Sequence, residues 1–325
     1  MEPLRWGILG AAKFAREHMG PALHLARGPV LAALGTSRPE AADAFAALVP
    51  GIRVHDSYEA VLADPAVDAV YIPLPNAMHV DWTLRALAAG KHVLCEKPIA
   101  MQAEEIDRLI AARDASGLLA AEAFMIVHHP QFARARELVQ GGAIGRLRHV
   151  QAVFSFYDDD LGNIGNQPGQ GGGGLADIGV YVFGGARFVT GQEPCAIRHA
   201  HIEMAHGVDV FAQVAAAFDG FSYGATVSIR MAPRQELVFH GEAGVLRLSC
   251  PFNAGVFDQA ELHLETEAGV RRVERFANVN QYVLQVEAFS RSVREGVAYA
   301  CPLEFSRGTQ MMIDMTRAAS GQRRG

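Results

Sequence analysis

Three short stretches of this chain hold side chains able to do chemistry. Glu96-Lys97-Pro98 follows the apolar run His92–Cys95, so an ammonium group stands where a buried strand ends. An ammonium there can polarise a substrate oxygen and share in proton transfer, with Glu96 beside it as an orienting partner. The Lys97–Pro98 bond is a candidate for the cis isomer. In Gly171-Gly-Gly-Gly-Leu-Ala-Asp177-Ile-Gly-Val-Tyr181 a carboxylate and a phenol are four residues apart. That spacing puts Asp177 and Tyr181 on one face of a helix starting near Leu175. A phenol opposite an ammonium can accept a hydroxyl proton as hydride leaves carbon, while Asp177 holds the substrate by hydrogen bonds. Each stretch alone has a plainer account: a surface ion pair at a proline turn, and a glycine-rich loop before a half-buried tyrosine.

The third stretch is Gly10-Ala11-Ala12-Lys13-Phe14-Ala15, between a strand and a helix. A dinucleotide site needs a glycine for the tight turn, a small residue where backbone approaches pyrophosphate, and a small third residue for helix packing. Gly10, Ala12 and Ala15 meet these needs with only the first glycine kept. The helix start would offer free N–H groups to phosphate. Where an NAD site usually has an acid after the second strand, this chain has Thr36-Ser37-Arg38. Arg38 can hold a 2′-phosphate bidentately and the two hydroxyls can donate to it, which favours NADP, with NAD possible. Ser37 with Glu40 also reads as a capping box for the next helix.

The elements that must position these groups fall into two rhythms. Leu4–Leu9, 30–35, 67–74 and His92–Cys95 read as buried strands, with weaker ones at Arg53–His55 and 118–120. Between them, 41–48, 79–89 and Ala103–Ser116 carry helical spacing. Strands alternating with helices imply a doubly wound parallel sheet over residues 1–122. Beyond it, 208–218 alternates Val208, Val210, Ala212, Val214, Ala216 and Phe218 to one face. Asp219-Gly220 turns the chain into a similar run at 221–231. Strands at 148–156, 236–240, 244–249, 260–265 and 269–276, with helices near Leu175 and at 282–294, complete an α+β domain over 123–325. Its sheet is large, open and mainly antiparallel. The second face of that sheet is small and mildly polar, which suits a homodimer or higher homo-oligomer.

With 325 residues there is room for two domains. A net charge of −6 without a basic block argues against nucleic acid as a partner. No apolar run is long enough to span a membrane, and no targeting segment precedes Leu4. Cys95, Cys195, Cys250 and Cys301 are widely spaced, as in a reduced, cytoplasmic protein. His199, His201 and His206 lack the spacing of a metal centre, and no metal is expected. The basic end at Gln322-Arg323-Arg324 reads as a solvated tail.

Together these stretches resemble the glucose–fructose oxidoreductase/inositol dehydrogenase (Gfo/Idh/MocA) family. The matching residues are the Gly10 turn, Pro73-Leu-Pro-Asn76-Ala-Met-His79, Glu96-Lys97-Pro98, His129-Pro130-Gln131 and the Gly-Gly-Gly-Leu-Ala-Asp177-Ile-Gly-Val-Tyr181 run. Gly244-Val-Leu-Arg-Leu with Pro251-Phe252 matches further on. The resemblance implies NAD(P)-dependent oxidation or reduction of a sugar, polyol or cyclic diol. Lys97 would be the catalytic lysine, and Leu74, Pro75, Asn76, His79, Glu96 and Lys97 would line the cofactor. Tyr181, where inositol dehydrogenases have histidine, points to the branch of aldose dehydrogenases, dimeric dihydrodiol dehydrogenases and glucose–fructose oxidoreductase. Two departures fall on expected substrate contacts. Asn163-Ile164-Gly165 stands where that branch often has Asn-Ile-Arg, and apolar Ile126-Val127 precede His128-His129. The family also implies two rivals to a dehydrogenase: a cofactor-binding regulator without chemistry, and a glycosidase that uses NAD transiently.

Overall fold

The computed structural model describes residues 2–321; the basic end at Gln322-Arg323-Arg324 lies outside them. Contacts divide the chain into one compact unit of Met1–Met125 with Asn280–Arg307 and a second of Ile126–Val279 with Gly308–Gly325. The sequence reading has 280–307 within the 123–325 domain, whereas the contacts group this segment with the first unit.

In the first unit β1 (Leu4–Leu9), β2 (Pro29–Gly35), β3 (Arg53–His55), β4 (Ala69–Ile72), β5 (His92–Cys95) and β6 (Ala120–Glu122) form one sheet in the order β3-β2-β1-β4-β5-β6. Every pairing in it is parallel. All four residues of β4 are buried, as a central strand covered on both faces requires. The strand order reverses between β1 and β4, and in such sheets ligands bind at the carboxyl ends of the strands beside that reversal. The helix Gln281–Glu295 joins this unit through Phe289, whose ring lies 5.0 Å from that of Trp6.

The second unit holds β7 (Leu147–Tyr157), β8 (Ala196–Ala205), β9 (Val208–Ala217), β10 (Ser222–Ser228), β11 (Arg230–Gly241), β12 (Gly244–Leu248), β13 (Ala260–Thr266) and β14 (Arg271–Phe276). They form an eight-stranded sheet in the order β14-β13-β12-β11-β7-β10-β9-β8. Only β7 and β10 pair in parallel among these strands. Val208, Val210, Ala212, Val214 and Ala216 are buried on one face of β9, as the alternation requires. Helices Pro130–Gln140 and Val180–Thr190 pack on this sheet. Three α-helices had no counterpart in the sequence reading, Tyr58–Ala63, Pro130–Gln140 and Leu303–Ala319. No helix among the described residues is long and apolar enough to cross a membrane.

Candidate functional site

Within the first unit, the candidate residues collect at the carboxyl ends of β1, β2, β4 and β5. Gly10 ends β1 with φ +107°, and its N–H donates to Gly35 O at 2.9 Å. A Cβ there would strain this backbone and come within 3.1 Å of Leu74 Cδ2, so glycine is required. Residues 13–25 are helical, and Ala15 is fully buried, as helix–strand packing demands. Ala15–Met19 forms a widened turn in which Gly20 N–H reaches back to Ala15 O. This accommodates Pro21, which has no N–H and would crowd a regular turn. No side chain caps the start of the helix at Phe14. Ala11, Ala12 and Phe14 are partly exposed and Lys13 is exposed, so N–H groups at this end are available to an anion.

After β2, Thr36 is buried and its hydroxyl bonds to both backbone groups of Arg38, accepting at 3.2 Å and donating at 3.3 Å. Ser37 and Arg38 project outward. The Ser37–Glu40 capping box does not form: Arg38 is the cap residue of the short helix Pro39–Ala42, with no side-chain cap bond. The Thr36 hydroxyl organises this turn in its place. Burial raises the Tyr58 pKa, and the Arg38 charge opposes that rise. Tyr58 Oη also lies 3.3 Å from where a Gly10 Cβ would stand. Tyr58 thus lies beside both the Gly10 turn and the Arg38 loop.

Lys97 follows β5, partly exposed, and the Lys97–Pro98 bond is cis. Glu96 is held from two sides, since Tyr71 Oη donates to its Oε1 at 2.5 Å and Lys97 N–H to its Oε2 at 3.3 Å. Burial raises the Glu96 pKa, opposed by the Tyr71 hydrogen bond and then by the Lys97 charge. Leu74 is buried, Pro75 precedes the short helix Asn76–Met78, and Asn76 is partly exposed. His79 differs from the other residues of this set. It is fully buried, and both ring nitrogens lie 2.7 Å from backbone carbonyls, those of Pro98 and Leu74. It therefore stands behind the loops and does not line the surface a cofactor would touch.

One residue here escaped the sequence reading. Tyr282, on the helix that joins from far along the chain, packs 5.6 Å from Phe14 and 5.3 Å from His18, ring to ring. Burial raises its pKa, and the charge of Glu96 adds to the rise. Its only sequence signal is an aromatic two residues after a capping asparagine, Asn280, whose Oδ1 accepts from Tyr282 N–H at 3.0 Å.

In the second unit Asp177 lies in a widened turn, Leu175–Gly179, and Tyr181 in the helix that continues it. Tyr181 is 5% exposed, its ring 5.7 Å from Phe154 and 5.9 Å from Phe252. Phe154 and Phe252 stack on each other at 5.0 Å. The motif His129-Pro130-Gln131 supports this cluster from behind. Gln131 Nε2 donates to Cys250 O at 3.2 Å and Pro251 O at 3.4 Å, and Gln235 Oε1 accepts from Phe252 N–H at 3.3 Å. His129 caps the helix start by accepting from Gln131 N–H, and burial pushes its pKa down to about 4.

The glycine run has an internal cause that sequence reasoning missed. Asp209, buried on β9, accepts from Leu175 N–H at 2.5 Å. A Cβ on Gly173 would lie 2.4 Å from Asp209 Oδ1, and one on Gly172 would lie 2.5 Å from Gly165 O. Asn163 Oδ1 accepts from Gly165 N–H at 3.0 Å and leaves Ile164 exposed. Ile126 and Val127 are buried. His201 pairs with Glu203 on the surface at 3.3 Å, and no group of metal-holding side chains occurs among the described residues.

Comparison with known proteins adds what geometry alone does not. Residues 4–124 match the model described as an oxidoreductase family with an NAD-binding Rossmann fold, and residues 132–247 match the GFO/IDH/MocA C-terminal domain. An uncharacterized oxidoreductase of Rhizobium meliloti is 37% identical over 320 residues, 97% of this chain and 96% of its own. A D-xylose 1-dehydrogenase (NADP(+)) of Haloferax volcanii is 33% identical over 317 residues, 96% of this chain and 95% of its own. A variant of a 3-ketoreductase from Actinomadura kijaniata, crystallised with TDP-benzene and NADP, superposes with a TM-score of 0.90. It is 29% identical, with 98% of each chain covered.

Proposed function

This chain belongs to the GFO/IDH/MocA oxidoreductase family, and we propose that it transfers hydride between a hydroxyl-bearing carbon of a sugar, polyol or cyclic diol and NADP. The carrying observation is that the Gly10 turn, Arg38 and the Lys97 turn lie at the carboxyl ends of strands of one parallel sheet, where such sheets bind nucleotides. The chemistry of the relatives supports the same reading: the Haloferax protein is an NADP-dependent xylose dehydrogenase, and the Actinomadura protein is a ketoreductase crystallised with NADP.

The residues fit that cofactor. The uncapped helix start after Gly10 would take the pyrophosphate, and exposed Arg38, with Ser37, would take the 2′-phosphate. Asn76 and Glu96 would hold the nicotinamide end, with His79 behind them. The cofactor supplies a carbon that donates or accepts hydride. Lys97 polarises the substrate oxygen, Tyr181 exchanges its proton, and Asp177 fixes the sugar by hydrogen bonds. Such acid–base assistance contributes roughly 10²–10⁴-fold to rate. The enzyme works in the cytoplasm as a homo-oligomer, joined through the outer face of the eight-stranded sheet. There Ser222 is exposed and Gly224 and Thr226 are half-buried, a small-residue surface that a second copy can cover. Sedimentation at working concentration checks that part, and a monomer would remove it.

Screening aldoses, polyols and cyclic diols with NADP and NAD, while following reduced nicotinamide, tests the reading. Turnover with a member of this set, faster with NADP, is expected. Cofactor binding without reduction by any of them would leave a regulator, and net hydrolysis of a glycoside would leave a glycosidase.

A further inference from the structure

Donor and acceptor counting at His79 does not close for a neutral ring. Nδ1 lies 2.7 Å from the carbonyl oxygen of Pro98 and Nε2 lies 2.7 Å from that of Leu74, with the residue wholly shielded from solvent. A carbonyl oxygen only accepts, and a neutral imidazole has one N–H and one lone pair. Either neutral tautomer would set a ring lone pair against a carbonyl lone pair at hydrogen-bond distance, in a place shut off from bulk solvent. The imidazolium donates from both nitrogens.

We propose that His79 acts as a buried imidazolium that pins the loop after β4 to the turn after β5, making it a positioning residue for Asn76 and Lys97. Leu74 O belongs to the Leu74-Pro75-Asn76 loop, and Pro98 O to the Glu96-Lys97-Pro98 turn. One ring therefore fixes the spacing of the two segments proposed to hold the nicotinamide end and the substrate oxygen. Its own support is firm, because His79 opens the helix His79–Ala88, whose Trp82, Ala86 and Leu87 are buried in the core.

The charges around the ring set the direction of its pH response. Burial, with the Lys97 charge adding to it, outweighs the bonds to Pro98 and Leu74 and leaves the His79 pKa below the usual histidine value, so the double donation belongs to the acid side of that value. The carboxylates at that turn are engaged elsewhere: Glu96 accepts from Tyr71 and from Lys97 N–H, and Glu122 Oε1 accepts from Ile99 N–H at 2.9 Å. On the helix itself Asp81 pairs with Arg85 at 2.8 Å on the exposed side. The cation and both its bonds are thus present at lower pH. As pH rises through the folded pKa, one proton leaves and one of the two loops is released.

The charge of His79 does not depend on the functional reading above; its role as a positioning residue does. Nuclear magnetic resonance of the full chain labelled with ¹⁵N-histidine, without cofactor, reads the charge directly. At about pH 5, the acid end of the range in which histidine changes charge, one ring is expected to carry slowly exchanging protons on both nitrogens. His79→Asn should remove that signal; if this variant does not fold, slow exchange at both nitrogens of one ring still marks it. Buried His129, which accepts from Gln131 N–H, supplies a ring with at most one N–H in any case; the absence of any doubly protonated ring at that pH overturns the proposal. NADP affinity measured at about pH 5 and about pH 7, spanning a histidine titration shifted to the acid side, then tests positioning. The wild type should weaken about fivefold more than His79→Asn over that range, as a loss of binding-competent population implies. Equal weakening in both proteins contradicts it. Normal turnover by Lys97→Ala, with the doubly protonated ring intact, would remove the functional reading and leave the clamp.

Discussion

The helix start after Gly10 and the one at the glycine run 171–174 serve opposite ends. After Gly10, the helix beginning near Lys13 has no side-chain cap, so its N–H groups remain for a ligand. At the run 171–174, the N–H of Leu175 in the first helical turn is already taken by buried Asp209. Gly172 and Gly173 are needed there because the backbone of Gly165 and the carboxylate of Asp209 come too close for a side chain. Glycine before a helix therefore marks close approach of something, and only the donor accounting tells whether that something is a ligand or the protein itself.

The comparison can be broken by substitution. Gly10→Val puts a β-branched residue at φ +107° and against Leu74, a strain of about 1–3 kcal/mol before the contact is counted. NADP affinity should fall about a hundredfold or more, measured by titration of intrinsic fluorescence. Asp209→Ala leaves the Leu175 N–H buried without its carboxylate, and hydrogen bonds to charged groups contribute about 1.5–3 kcal/mol. The melting temperature should drop while NADP affinity stays near normal. A loss of NADP affinity in that variant would mean that the glycine run serves the cofactor after all.

Arg38→Ala should raise the KM for NADP about tenfold or more and leave that for NAD nearly unchanged, from the same energy per charged bond. Parallel loss with both cofactors would remove the 2′-phosphate assignment. The smallest effect on stability is expected at Gly165. A Cβ there meets only Asn163 Oδ1, at 3.5 Å, so Gly165→Arg should change stability by no more than about 0.5 kcal/mol. Its consequence should appear in the order of substrate preference across the sugar screen.

The parallel sheet was legible because its inner strands β1, β4 and β5 are largely buried and read as apolar runs. The helix Ala103–Ser116 was legible from its helical spacing. Leu303–Ala319 was not, because it hides polar side chains: Ser306, Thr309, Gln310 and Thr316 are all buried. Its Gly308, which looks like a helix breaker, is required where the guanidinium of buried Arg187 packs against it. Pro130–Gln140 and the edge strand β8 escaped for a related reason, since β8 has most residues of both faces accessible and so no alternation of burial. At the site, Lys97, Glu96 and Arg38 could be named from position alone. Tyr282 could not, because only the return of residues 280–307 to the first unit brings it to Phe14. Asp209 was hidden as the one charge in a strand of apolar alternation, and His79 was assigned to the cofactor surface when it lies behind it.

Rapid mixing of substrate with the NADP-bound enzyme, following reduced nicotinamide in one turnover, tests the account most directly. In Lys97→Ala and Tyr181→Phe the hydride-transfer step should slow by roughly 10²-fold or more, with NADP affinity close to that of the wild type. Wild-type rates in both variants would contradict the assignment of chemistry to these two side chains.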